Sequence, residues 1–168
     1  TVGGLAISLL KNADSVKIAC LAQLVNVIAP ITTAADGGVL KQATYYPFEV
    51  VSALGHGTVL DTRITAPTYA CQFGDLPVVE SVTVLNEETG EVHVFALNCD
   101  PAEEVRLTLE LETGYTLTRH QALFGDDLKA INTFENPQNV TMRDLTVEGG
   151  AQATLPKLSW SALTYRKG

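Results

Sequence analysis

The stretch "ESVTVLNEETGEVHVFALN", residues 80–98, predicts a β-hairpin. Val82 and Val84 form one apolar-polar alternation, Val92, Val94 and Phe95 belong to a second run, and a Glu-Thr-Gly turn separates them. Such a pattern suits two antiparallel strands, because successive side chains on a strand point to opposite faces. His93 alternates with Val92 and Val94, so it is expected on the solvent face of its strand.

Downstream the same rhythm returns. "VRLTLEL", "YTLTRHQAL", "NVTMRDLTV" and "SWSALTYR" read as strands, and "TVLDTRIT" precedes the hairpin as another. The turn signals between them are "DPAEE", "ETG", "GDD", "ENPQ" and "EGG". Several short strands at regular spacing predict an antiparallel sandwich.

Upstream, to about residue 57, the pattern changes to helix, strand, helix. In "TVGGLAISLLKNAD" the residues Val2, Leu5, Ala6, Leu9, Leu10 and Ala13 recur at helical spacing, with Asn12 and Asp14 as stop signals. "VKIACLAQLV" is a continuous apolar run closed by Pro30. It suits a strand covered on both faces, although a buried helix has the same appearance. "ADGG" is a loop, and "YYPFEVVSALGHG" is a helix with Pro47 near its start and Gly55 as its cap. An α-β-α run this short cannot cover its own strand on both sides, so it reads as a slice of a larger α/β domain.

The composition excludes several classes. The chain has 168 residues, 46% of them hydrophobic, and a formal net charge of -8 from 19 acidic and 11 basic residues. No basic stripe is present, which argues against nucleic acid, and the acidic balance argues against anionic lipid. No run reaches about 18 apolar residues, so no membrane-spanning helix is expected. The first residues lack both a basic region and an initiator Met, which suggests a fragment without a signal peptide. Cys20, Cys71 and Cys99 are widely spaced and odd in number, pointing to a reduced, cytoplasmic protein.

A self-contained catalyst is hard to find. Glu87-Glu88 and Glu103-Glu104 fall at expected turns, where solvated charge is normal. His56, His93 and His120 share no metal-ligand spacing, and no Gly-x-Ser-x-Gly elbow exists. "GHG" at residues 55–57 lacks the Lys-Ser/Thr of a phosphate loop and reads as a helix terminator. The sequon "NVT" at residues 139–141 reads as chance in a cytoplasmic chain. Trp160 is expected in core packing rather than as a sugar-stacking platform.

Two amides remain. Gln23 and Asn26 interrupt the apolar stretch 14–31, and an unmet buried amide costs roughly 1–3 kcal/mol. Either both cap backbone groups at a strand end, or the strand belongs to an α/β barrel and Gln23 stands at its substrate-facing rim.

"ADSVKIACLAQLVNVIAPI", "QATYYPFEVVSALGHGTVL", "VESVTVLNEETGEVHVFALN" and the terminal "LPKLSWSALTYR" resemble the C-terminal part of the α-L-arabinofuranosidases of glycoside hydrolase family 51. The resemblance implies a mainly β chain: a C-terminal jelly-roll-type β-sandwich at 58–168, preceded at 1–57 by the last α-β-α elements of a (β/α)8 barrel. Barrel helix 7 would be residues 2–13, strand 8 residues 16–24 and helix 8 residues 46–54. It implies removal of terminal arabinofuranosyl groups from arabinoxylan, arabinan and their oligosaccharides, with retention and without cofactor or metal. The two glutamates of such a mechanism stand about 5–5.5 Å apart. The resemblance puts both upstream of Thr1, so this chain alone would be inert. It carries one substrate contact onto this sequence: Gln23, to the terminal arabinose, with Asn26 assigned to loop structure. A homo-oligomer, or association with the missing barrel portion, would be expected. The alternatives are a non-catalytic β-sandwich module for interaction or carbohydrate binding, and a parent acting on another glycoside.

Overall fold

The computed structural model describes residues 1–111 and 114–168. Its elements run α1 (Val2–Lys11), β1 (Ile31–Thr33), β2 (Val39–Lys41), α2 (Tyr45–Leu54), β3 (Thr58–Leu60), β4 (Thr68–Cys71), β5 (Gly74–Pro77), β6 (Val79–Leu85), β7 (Val92–Asn98), β8 (Val105–Thr108), β9 (Tyr115–Leu123), β10 (Arg143–Leu145), β11 (Gln152–Leu155) and β12 (Ser159–Lys167). The chain is mainly β. Residues 112–113 of the expected "ETG" turn lie outside the described residues.

The hairpin of residues 80–98 is the spine of a six-stranded antiparallel sheet ordered β10-β9-β12-β7-β6-β3. Val82 faces Phe95 and Val84 faces His93 across β6 and β7, and β12 continues the layer by pairing Ala162 with Phe95. A register shift between Thr164 and Tyr165 leaves Thr118 of β9 as the extra residue, and its hydroxyl donates to the Thr164 carbonyl at 3.1 Å.

Both faces of this sheet are covered. On one side, Val92, Val94, Leu163 and Tyr165 pack with Ala153 and Leu155 of the small β11-β8 sheet, which makes the sandwich. On the other, Val82, Val84, Phe95, Trp160 and Ala162 pack with Ile7 of α1 and Val50 of α2. The indole of Trp160 is 4% exposed and stacks on Phe95 with ring centroids 5.9 Å apart. α1 comes so near that a Cβ on Gly3 would stand 2.2 Å from the indole. Trp160 is thus a core residue, as its sequence context predicts.

The double cover corrects one expectation. His93 does alternate with Val92 and Val94, but the face it occupies lies under the helix layer, and it is 2% exposed rather than solvent-facing. Gly57 connects α2 to β3 at φ 126, passing so close to the β6 end that a Cβ would meet the Leu85 carbonyl oxygen at 2.0 Å.

Residues 16–24 are the stretch expected as barrel strand 8. They form no strand: the segment runs without ladder hydrogen bonds, and the nearest pairing is a single parallel bridge from Val25 to Ile31. A parallel barrel strand draws its stability from neighbours on both sides and helices over its faces. None of the described strands offers it an edge, and Ile18 is 84% exposed. The hairpins β1-β2 and β4-β5 and the strand β11 go beyond what the sequence predicts. Among the described residues no helix is long and apolar enough to cross a membrane.

Candidate functional site

The two amides that the sequence singles out sit in the same exposed turn, and the backbone treats them alike. Gln23 has φ 55, Asn26 φ 64 and Val27 φ 55. Left-handed backbone is common for asparagine and costly for a β-branched residue, at roughly 1–3 kcal/mol for a non-glycine residue. Three such residues within five positions mark a segment held in shape by its surroundings.

Asn26 supplies the hold. Its Oδ1 accepts from the Thr33 N–H at 2.8 Å, and its Nδ2 donates to Thr33 Oγ1 at 3.0 Å. Its own N–H donates to the Ile31 carbonyl at 2.7 Å, and its carbonyl accepts from Ala29 N–H at 2.9 Å. The Asn26 amide is therefore part of the loop. Gln23 is exposed, with no hydrogen bond to another described residue. A primary amide in this state keeps both donors and its acceptor for a ligand or solvent.

The platform under the turn is stiff. β1 and β2 form a hairpin, and Gln42 closes it by donating its N–H to the Pro30 carbonyl at 2.8 Å. Lys41 then meets α2: its ammonium lies 3.1 Å from Glu49 Oε1 and 4.3 Å from the Tyr45 ring centroid, while the Tyr45 hydroxyl donates to the same carboxylate at 3.0 Å. The bond to Glu49 raises the Lys41 pKa above its ordinary value, against a smaller lowering by burial.

Two of the clefts among the described residues lie elsewhere, inside the sandwich. One of about 610 Å³ opens between residues 60–67 and β8, with the buried hydroxyl of Thr83 on its floor and no hydrogen-bond partner for that oxygen. The other, about 490 Å³, reaches His120, whose Nε2 lies 3.0 Å from Ser161 Oγ. Gln23 lines neither.

Residues 1–159 match the family described as the α-L-arabinofuranosidase C-terminal domain. The chain belongs to this family. It is similar to an intracellular exo-α-(1→5)-L-arabinofuranosidase of Halalkalibacterium halodurans, 39% identical over 99% of this chain and 34% of the relative. It also resembles an exo-α-(1→6)-L-arabinofuranosidase of Bifidobacterium longum, 39% identical over 96% of this chain and 33% of that protein. Among solved structures, a family 51 α-L-arabinofuranosidase of Bifidobacterium longum superposes with a TM-score of 0.90 at 35% identity, covering 98% of this chain and 34% of that one. This arabinofuranosidase C-terminal chain thus spans about a third of the length of the relatives it matches.

The remaining sequence candidates fall into structural roles. Glu87, Glu88, Glu103 and Glu104 are all exposed, and Glu87 takes the Thr58 hydroxyl. His93 Nδ1 lies 3.2 Å from Thr164 Oγ1 and its Nε2 3.5 Å from Glu91, which also accepts from Arg166 at 2.6 Å. Burial lowers the His93 pKa, although Glu91 pulls it upward. Burial lowers His120 as well and pushes the Tyr165 phenol up to about 12. Cys20, Cys71 and Cys99 are free, and no group of three potential metal ligands exists among the described residues. What sequence reasoning missed is the left-handed backbone at Gln23, since nothing in a glutamine announces it.

Proposed function

We propose that this chain is the C-terminal part of a retaining exo-α-L-arabinofuranosidase and that Gln23 holds the terminal arabinofuranosyl group. Residues 1–57 then complete a (β/α)8 barrel, with residues 16–24 gaining strand partners there, and residues 58–168 are the sandwich that buttresses it. The observation that carries the reading is an exposed amide without a hydrogen bond, on a strained turn pinned by Asn26. It occurs in a chain whose relatives bear arabinofuranosidase names. An amide can donate to one sugar hydroxyl and accept from another, and the left-handed backbone sets the direction in which its side chain leaves the turn. The acid and the nucleophile belong to other polypeptide. The substrates are arabinan, arabinoxylan and their oligosaccharides, and the site is cytoplasmic, in line with the intracellular names of relatives.

Kinetics on 4-nitrophenyl α-L-arabinofuranoside test this. The chain alone gives no turnover above blank. In the full-length protein, Gln23→Ala lowers kcat/KM about tenfold or more. Gln23→Asn, which tolerates the left-handed backbone but is one methylene shorter, falls with it. Full activity in both variants would remove Gln23 from the substrate.

A second reading rests on exposed apolar surface. Ile18, Leu24, Val27 and Ile28 are 84%, 75%, 90% and 76% exposed along one segment. A run like this favours association, either with the rest of the barrel or between copies. Light scattering on the isolated chain then shows a mass above the monomer, and a clean monomer argues against self-association.

A further inference from the structure

The connection from β9 to β10, residues 124–142, crosses from the sandwich to the platform under Gln23. Asn132, 2% exposed although it sits in a loop, anchors it there. Its Nδ2 donates to the Lys41 carbonyl at 2.8 Å and the Val140 carbonyl at 2.9 Å, and its Oδ1 accepts from the Val140 N–H at 2.6 Å. Two residues on, Phe134 lies against the β1-β2 turn, its Cε1 3.3 Å from where a Cβ on Gly38 would stand. The ring is still 44% exposed, on a loop that also exposes Ile131.

The order of these pieces sets a distance. Residues 25–26 lie along one edge of β1, β2 pairs with its other edge, and Asn132 caps the outer side of β2. Three spacings of about 4.8 Å separate residues 25–26, close in sequence to Gln23, from Asn132, two residues before Phe134, by ~14 Å. That is too far for the sugar held at Gln23 and within the span of a short oligosaccharide.

We propose that Phe134 is a specificity-determining residue that stacks on the glycan beyond the terminal arabinofuranosyl group, so that the sandwich helps to choose the substrate. The inference rests on the assignment of Gln23 above. An exposed aromatic face held by a buried amide offers an uncharged chain an apolar surface at little ordering cost. The rigid link through Asn132, Lys41 and the β1-β2 hairpin keeps it in register with the turn.

The test uses the full-length protein with Phe134→Ala and Phe134→Tyr. For Phe134→Ala, kcat/KM on a linear arabino-oligosaccharide falls about three- to tenfold. Both constants for 4-nitrophenyl α-L-arabinofuranoside stay unchanged, as does Tm, and the tyrosine variant restores oligosaccharide cleavage. An equal loss on both substrates, or no loss on the oligosaccharide, overturns the role of Phe134 and leaves that of Gln23 standing. No turnover of the aryl glycoside by the unsubstituted protein sinks both.

Discussion

The sheet built on β6, β7 and β12 and the turn at residues 23–28 are opposites in how they spend their residues. The sheet buries nearly every side chain, on both faces, and satisfies its backbone through ladders. The turn exposes Leu24, Val27 and Ile28, holds three non-glycine residues in left-handed backbone and depends on one asparagine for its shape. Strain that persists must be over-determined by its surroundings, and in enzymes it gathers where ligands bind. The contrast suggests that the sheet supplies the stability and the turn uses some of it.

Substitutions at the α1-sheet contact probe the stable side hardest. Trp160→Ala removes a buried indole that packs on Phe95 and supports α1, and unfolding in urea should show a loss of about 3–5 kcal/mol. Gly3→Ala gives a sharper test, because glycine-to-alanine within a helix ordinarily stabilises by roughly 0.5–1 kcal/mol. Here the added methyl would press into the indole, so the sign reverses, to a loss of about 1–3 kcal/mol. Stabilisation by Gly3→Ala would mean that α1 does not sit on Trp160.

Protons probe the same side. Burial lowers both His93 and His120, so the unfolded chain binds protons that the folded chain refuses. The contribution of the neutral imidazoles is intact above the unfolded value of about 6.5 and is lost as pH falls below it. The urea midpoint should therefore drop between pH 7.5 and pH 5.5, and His120→Gln should flatten part of that slope. A midpoint that rises on acidification would contradict the burial of both rings.

How far the sequence foretells each side follows from what stabilises it. The hairpin of residues 80–98 and the strand at Trp160 are legible because alternation and turn chemistry are local. The burial of His93 is not, because the layer packed on its face of the sheet comes from residues distant in sequence. The apolar run 16–24 reads as a strand because its composition suits burial, yet no described strand pairs with it and no ladder forms. β4 and β5 were hidden by "ACQFGD", where a cysteine and an exposed Phe73 mask the hairpin rhythm. At the candidate site, Asn26 is readable as a residue that tolerates left-handed backbone, whereas the same conformation at Gln23 and Val27 is imposed by the loop.

Asn26→Ala separates the turn from the sheet. It deletes the side-chain bonds to Thr33, a local cost of about 1 kcal/mol, while global unfolding barely moves. Because the Thr33 N–H donates to the deleted oxygen, its amide exchange should speed up about fivefold, with the β6, β7 and β12 amides unchanged. Faster exchange across the sheet as well would show the two regions to be one cooperative unit.

Val27→Gly carries the smallest effect and speaks most directly to strain. The side chain is 90% exposed, so its loss sacrifices almost no packing. Left-handed backbone costs an L-residue roughly 1–2 kcal/mol, and glycine escapes that cost while giving up about 0.5–1 kcal/mol in chain entropy. The balance is a gain of roughly 0–1.5 kcal/mol confined to the turn, where the Ala29 N–H that donates to Asn26 reports it by slower exchange. Faster exchange at Ala29 would mean that the valine relieves rather than stores strain, and the case for a turn held open for a ligand would lose its physical basis.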